Sequence, residues 1–244
     1  MSALRSYLLL VKWQALRSKG FLPLAMVVQG FFSLGIVVGY PLLFPSLDPT
    51  TILFLATGAP SITLITMGLV AVPQMVAQAK TEGTLDYMRS LPIPRAVYLL
   101  ADLTVQLAIV LPGVAFGVAV AALRFSLPLH PSALVVPAVV LVVLTATSAG
   151  YALSSVLPPL VANLLSQVLV VLVFMFSPLT FPPERLPDWL AALHRVLPIQ
   201  AMGELMRGAL APASFPLSAG AFALLGAWAA ASFLVAWRVL ARRA

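Results

Sequence analysis

Long apolar runs alternate with short polar breaks along this chain. A bilayer crossing needs about 20 mostly apolar residues. Six runs qualify, at roughly 21–44, 52–79, 97–123, 132–157, 161–181 and 215–240. Two segments depart from the pattern. Residues 80–95, KTEGTLDYMRSLPIPR, form a charged island between the second and third runs. Residues 177–210 carry prolines at 178, 182, 183, 187 and 198 around a short amphipathic stretch, DWLAALHRVL. The pattern predicts an all-α membrane protein with six transmembrane helices, forming a single transmembrane domain over 1–244. An interfacial helix is expected over 1–20, a cytoplasmic helix within 80–95, and external re-entrant helices over 177–210, before the last span.

The first 20 residues are too charged to cross. Arg5, Lys12 and Lys19 recur every seven residues and make one cationic ridge on a helix, with Leu4, Tyr7, Leu8 and Val11 to one side. Such a helix suits the membrane interface, its cations among headgroups and Trp13 at the same depth. Gly20 and Pro23 break it before the first span. The segment is not read as a secretory signal, because Lys12, Arg17 and Lys19 follow the run YLLLV rather than precede it.

Composition supports the bilayer as solvent. Hydrophobic residues make up 61% of the chain and charged ones 9%, against about 45–50% and about 25% in soluble domains. The absence of cysteine excludes disulfides and thiolate chemistry. The net charge of +7 reflects cations split between the island and the termini, which does not describe a nucleic-acid surface. With the termini inside, Arg5, Lys12, Arg17, Lys19, Lys80, Arg89, Arg95, Arg238, Arg242 and Arg243 are cytoplasmic, and Arg124, Arg185, Arg195 and Arg207 are external. That bias places both termini and the island in the cytoplasm.

Within the island, a helix from about Thr81 to Ser90 would place Leu85 and Met88 on one face and Glu82 and Asp86 on another. Glu82 suits its positive start and Arg89 its negative end. Such a helix fits a groove on a soluble partner. In the outer segment, Asp188 can cap a helix carrying Trp189, Leu190, Leu193 and Leu197, followed by a second from about Gln200. Irregular backbone at membrane depth must be covered by protein or line a water-filled cavity, so this pair is expected to cap the outer mouth of a pathway.

Gly35-x-x-x-Gly39 and Gly113-x-x-x-Gly117 are candidates for close helix contacts. Pro60, Pro73, Pro112 and Pro137 are expected to kink their spans. Asp102, two turns into the third span, is a pathway candidate because intramembrane carboxylates are costly without a role. Gln106 lies one turn on. Asn163, Ser166 and Gln167 are expected to make helix–helix hydrogen bonds, and Glu204 and Arg207 to pair. His130 and His194 lack metal spacing, so no metal site is expected. No nucleophile or acid–base constellation points to an enzyme.

The two irregular segments, in this order around six spans, resemble those of the ABC-2 type transporter permeases, including the daunorubicin-resistance-like branch. The first signature reads Lys80-Thr81-Glu82-Gly83-Thr84-Leu85-Asp86, closing with Leu91-Pro92-Ile93-Pro94-Arg95. The second reads Phe176-Ser177-Pro178, Leu186-Pro187-Asp188-Trp189-Leu190, Pro198 and Arg207. The chain departs from the family where acids often stand four and two residues before the glycine, here Ala79 and Thr81.

The resemblance implies an exporter membrane subunit of type V architecture in the plasma (inner) membrane. It makes Thr81, Glu82, Gly83, Thr84, Leu85, Asp86, Met88 and Arg89 the surface that couples to an ATPase. It makes Pro178, Leu186, Pro187, Trp189, Pro198 and Arg207 an external gate. It also implies a second permease subunit, the same or a sister chain, and two ABC ATP-binding subunits that hold ATP and Mg. No cofactor is expected on this chain, which carries no Gly-x-x-x-x-Gly-Lys-Ser/Thr loop. The cargo implied is a hydrophobic or amphipathic drug, lipid or glycolipid. The alternative is a membrane scaffold or assembly protein without transport activity.

Overall fold

A chain that faces hydrocarbon must satisfy its backbone internally, and helices do so within one segment. The computed structural model describes residues 3–20, 22–43, 48–90 and 93–241, and the regular elements among them are all helical. Eleven α-helices follow in order: α1 Ala3–Ser18, α2 Leu22–Leu43, α3 Pro49–Thr66, α4 Val72–Thr81, α5 Thr84–Ser90, α6 Arg95–Phe125, α7 Val135–Val156, α8 Pro159–Phe176, α9 Asp188–Val196, α10 Pro198–Leu210 and α11 Ala219–Ala241. A π-helical turn, Met67–Ala71, joins α3 to α4, so the two form one helix from Pro49 to Thr81.

Among the described residues, five helices are long and apolar enough to cross a membrane: Pro49–Thr81, Arg95–Phe125, Val135–Val156, Pro159–Phe176 and Ala219–Arg238. These correspond to the second through sixth expected spans. The first expected span falls on α2, a 22-residue helix from Leu22 to Leu43. The fifth span ends earlier than expected. Ser177 is extended (φ −99°, ψ 147°), so α8 stops at Phe176. Pro178 disfavours helical backbone at the residue before it, and its place in the sequence sets this end.

The centre of the bundle is α3, with 78% of its crossing window buried, against 17% for α8 at the periphery. Ile62, Leu64 and Ile65 of α3 meet Val110 of α6, Val142 of α7, Leu205 and Met206 of α10 and Leu225 of α11 in one core. Asp48 caps α3, its carboxylate accepting from the Thr51 amide at 3.2 Å and from the Thr50 hydroxyl. These bonds hold the exposed Asp48 carboxyl near pKa 2.

Pro60 and Pro112 sit inside α3 and α6 without ending them, and Pro137 lies in the first turn of α7, where a missing N–H is tolerated. Pro73 follows directly on the π turn, where the Val72 amide reaches back to the Met67 carbonyl. The wider winding relieves the clash of the Pro73 ring with the carbonyl four residues earlier.

Glycine contacts divide the two candidate motifs. A Cβ on Gly113 would lie 2.8 Å from the Gln29 Cβ, and one on Gly117 would overlap Ser33, so α6 meets α2 through this pair. Gly35 and Gly39 meet nothing within 4 Å among the described residues. One close backbone approach was absent from the sequence reading: a Cβ on Gly150 would lie 2.0 Å from the Gly68 carbonyl oxygen. There α7 seats on the π turn.

α1 lies along α6 with Ser6, Leu10 and Gln14 buried and its cationic ridge, Arg5, Lys12 and Lys19, exposed. Leu4 and Leu8 stay exposed rather than packing inward. The Tyr7 hydroxyl bonds that of Thr104 on α6 at 2.6 Å. The polar residues opening α8 do not link helices as expected. The Ser166 hydroxyl donates to Ala162 in its own helix, Gln167 is exposed, and the Asn163 carbonyl oxygen has no partner.

Candidate functional site

The charged island folds as two pieces. α4 continues through Thr81, and Glu82 closes it with its amide on the Gln78 carbonyl. Gly83 then adopts φ 72°, a left-handed conformation costly for other residues. α5 starts at Thr84, later than the expected Thr81 start. Thr81 and Glu82 therefore belong to the end of α4. The Glu82 carboxylate accepts from the Gln78 amide at 2.6 Å, placing it at a helix end rather than a helix start.

Two cations fasten the segment to its neighbours. Arg95, at the start of α6, donates to the Met88 carbonyl at 3.0 Å, satisfying the C-terminal end of α5, a role expected of Arg89. Lys80 donates to the carbonyls of Ser154 and, at 3.2 Å, Leu157 at the end of α7. The start of α6 is thus held to α5, and the end of α7 to the last turn of α4 just before it. Met88 is buried, whereas Tyr87 is 61% exposed. The side chains of Leu85, Asp86 and Arg89 lie outside the described set, as do Leu91 and Pro92. Sequence reasoning missed Tyr87. An aromatic residue between Asp86 and the buried Met88, on an otherwise polar turn, was the available signal.

At the opposite end of the bundle, Arg207 of α10 is 4% exposed. Its Nη2 donates to the carbonyls of Pro178 and Leu179 at 2.9 and 2.7 Å, and its guanidinium lies 3.6 Å from the centre of the Phe54 ring. Gly58 of α3 and Gly203 of α10 leave room for this arrangement: a Cβ at either would collide with Leu179. Arg207 does not pair with Glu204, whose carboxylate instead accepts from Gln200 at 2.8 Å. The two carbonyls left bare by the Pro178 break are the stronger demand on a buried fork of N–H donors.

Of the expected external residues, Arg207 and Pro178 come together directly. Leu186 and Pro198 are half-buried, Pro187 is exposed, and Trp189 points outward at 70% exposure. His194 ties α9 back to α8, its Nε2 donating to the Phe176 carbonyl at 2.9 Å, and Trp228 of α11 donates to Val196 at 2.8 Å.

The two pathway candidates lie side by side on α6. Asp102 and Gln106 are both buried. Asp102 lies beside Tyr151 of α7 and Gln106 one turn on, and the Gln106 amide sits 3.2 Å from the Met75 sulfur of α4. Asp102 and Tyr151 line a cavity of about 590 Å³.

The family model for ABC-2 type transporters matches residues 6–211. The chain belongs to the ABC-2 type transporter family. No curated protein matches it. The match runs from α1 through the end of α10, so it takes in the island, Arg207 and the Asp102 cavity. As an ABC-2 permease, this multi-pass membrane protein is the transport component of an ABC transporter, in partnership with an ATP-binding subunit.

Proposed function

We propose that this ABC-2 permease is an exporter subunit with six crossings, α2 being the first, and with both termini in the cytoplasm of a plasma (inner) membrane. Two ATP-binding subunits, carrying ATP and Mg, engage α5. A second permease subunit completes the membrane pathway. The cargo is a hydrophobic or amphipathic molecule moved outward from the inner leaflet or cytoplasm. The 22 residues of α2 support a sixth crossing, since they span about 33 Å at 1.5 Å per residue.

One observation carries the coupling role. α5 is a seven-residue helix set off by Gly83, bonded to α6 through Arg95 and flanked by Lys80 on α7, with Tyr87 presented outward. A push on α5 reaches α6 and α7 through charge-assisted bonds rather than a slack loop. The outer pair α9–α10, braced by Arg207 on the Pro178 turn, closes the far end until that push arrives.

The test uses the cysteine-free chain. A single Tyr87→Cys variant should react with an impermeant maleimide in inside-out vesicles and not in intact cells. Leu85→Arg together with Asp86→Lys should insert normally and lose co-purification with the ATP-binding subunit. Labelling from outside, or unchanged co-purification, would overturn the reading.

A further inference from the structure

The cavity beside Asp102 lies between α1, α2, α4 and α6. Much of its wall is apolar, built from residues such as Val28, Met67, Met75, Val105 and Ile109. Its polar groups are a different matter. No Lys, Arg or His lines it among the described residues. Two of the oxygens on its lining side chains are buried and without a hydrogen-bond partner among the described residues, Asp102 Oδ2 and Gln14 Oε1. Asp102 is 5% exposed and Gln14 is 8% exposed. Gln106 Oε1, one turn from Asp102, is a third unpartnered oxygen.

Buried polar atoms are normally satisfied, and each exception calls for an explanation. The exceptions here are all acceptors, and one belongs to a carboxyl group. A carboxyl group away from water takes up a proton or is met by a counter-charge. A donor-rich cation supplies the charge and the missing donors together. A primary ammonium carries three N–H donors and one positive charge, enough for both Asp102 and Gln14. The apolar wall would take an apolar tail. A phosphate or sulfate head without an ammonium fits badly, because no described basic side chain faces the cavity and Asp102 would repel it.

Position supports the same ligand. Asp102 lies seven residues beyond Arg95, where α6 begins, so it sits about 10 Å along the helix. Trp13 of the interfacial helix α1 also lines the cavity, and Leu24, Val28 and Met75 on its wall are exposed. An amphiphile in the adjoining leaflet could enter beside them without crossing water.

We propose that this cavity binds a cationic amphiphile, an alkylammonium head on an apolar body, with Asp102 as counter-ion and Gln14 as second acceptor. Its placement in the cytoplasmic leaflet rests on the orientation proposed above. The ligand is either an aminolipid of the membrane or a free amphipathic amine.

The decisive measurement is equilibrium binding of radiolabelled dodecylammonium to the purified chain in phosphatidylcholine nanodiscs. Saturable binding of one equivalent per chain is expected, with no competition from dodecanol. Asp102→Asn should weaken it at least tenfold and Gln14→Leu about three- to tenfold. Gln14 is on the peripheral helix α1, so its variant keeps the test informative if the Asp102 variant does not fold. Displacement by lysophosphatidylethanolamine identifies an aminolipid, and its failure to displace identifies a free amine. No saturable binding above empty nanodiscs, as for a cavity holding only water, would overturn the proposal. So would unchanged affinity in a folded variant. The assay contains no ATP-binding subunit or nucleotide, so its failure is separate from failure of the coupling role at α5.

Discussion

Arg207 and Leu179 hold the outer turn of this permease together: the arginine Nη2 donates to the leucine carbonyl at 2.7 Å inside the bundle. The bond closes the gap opened where Pro178 ends α8. Removing it by Arg207→Ala leaves two buried carbonyls bare. The expected cost is about 2–3 kcal/mol, a fall of roughly 4–12 °C in the thermal midpoint for a chain of this size. Arg207→Lys should recover less than half of that, because a point charge lacks the planar fork that bonds the carbonyls and stacks on Phe54. Thermal unfolding in detergent measures both.

The glycine contacts make a paired prediction. Gly150→Ala would drive a methyl group into the Gly68 carbonyl and should destabilise by about 1–3 kcal/mol. Gly35→Ala and Gly39→Ala meet open space among the described residues and should change stability by less than about 0.5 kcal/mol. Midpoints of the three single variants compare the motif that packs with the motif that does not.

Neighbouring residues of α5 should separate folding from docking. Met88 is buried, so Met88→Ala should lower the stability of the permease by about 2 kcal/mol or more. Tyr87 is mostly exposed. Tyr87→Ala should leave the midpoint in place and weaken association with the ATP-binding subunit about tenfold, as loss of an aromatic anchor does. Thermal unfolding and a pull-down titration together read out the split.

His194 gives the outer helix pair a pH dependence of known sign. Burial lowers its pKa below the ordinary histidine value. The neutral ring donates from Nε2 to Phe176, while Nδ1 is buried without a partner. A depressed pKa contributes stability that is fully present above the unfolded value, about 6.5, and is lost as pH falls through the folded one. The protection of residues 188–196 against hydrogen exchange, relative to intrinsic rates at each pH, should fall on acidification from pH 7 to pH 5. His194→Gln should flatten that response.

The sequence displayed most of the helices because hydrocarbon enforces long uninterrupted apolar runs, and it displayed the island because charge is scarce in this chain. The end of α8 was equally available, since Ser177 precedes a proline, yet the apolar run hid it. Side-chain partnerships were less legible. Glu204 stands three residues from Arg207 and looked like its partner, but the carbonyls that claim the arginine lie 28 and 29 residues away in sequence. The seat of α7 on Gly68 was invisible for a related reason: Gly68 and Gly150 are 82 positions apart in the printed sequence and share no motif.

The π turn at Met67–Ala71 sets the rotational phase of everything below it. An ordinary α-helix advances about 100° per residue. Deleting one residue there would restore regular winding and swing the Lys80 ammonium off the end of α7, turning the Gly83 hinge and α5 toward a different compass bearing. The aim of α5 is thus decided deep in the bundle, by a single surplus residue in that turn.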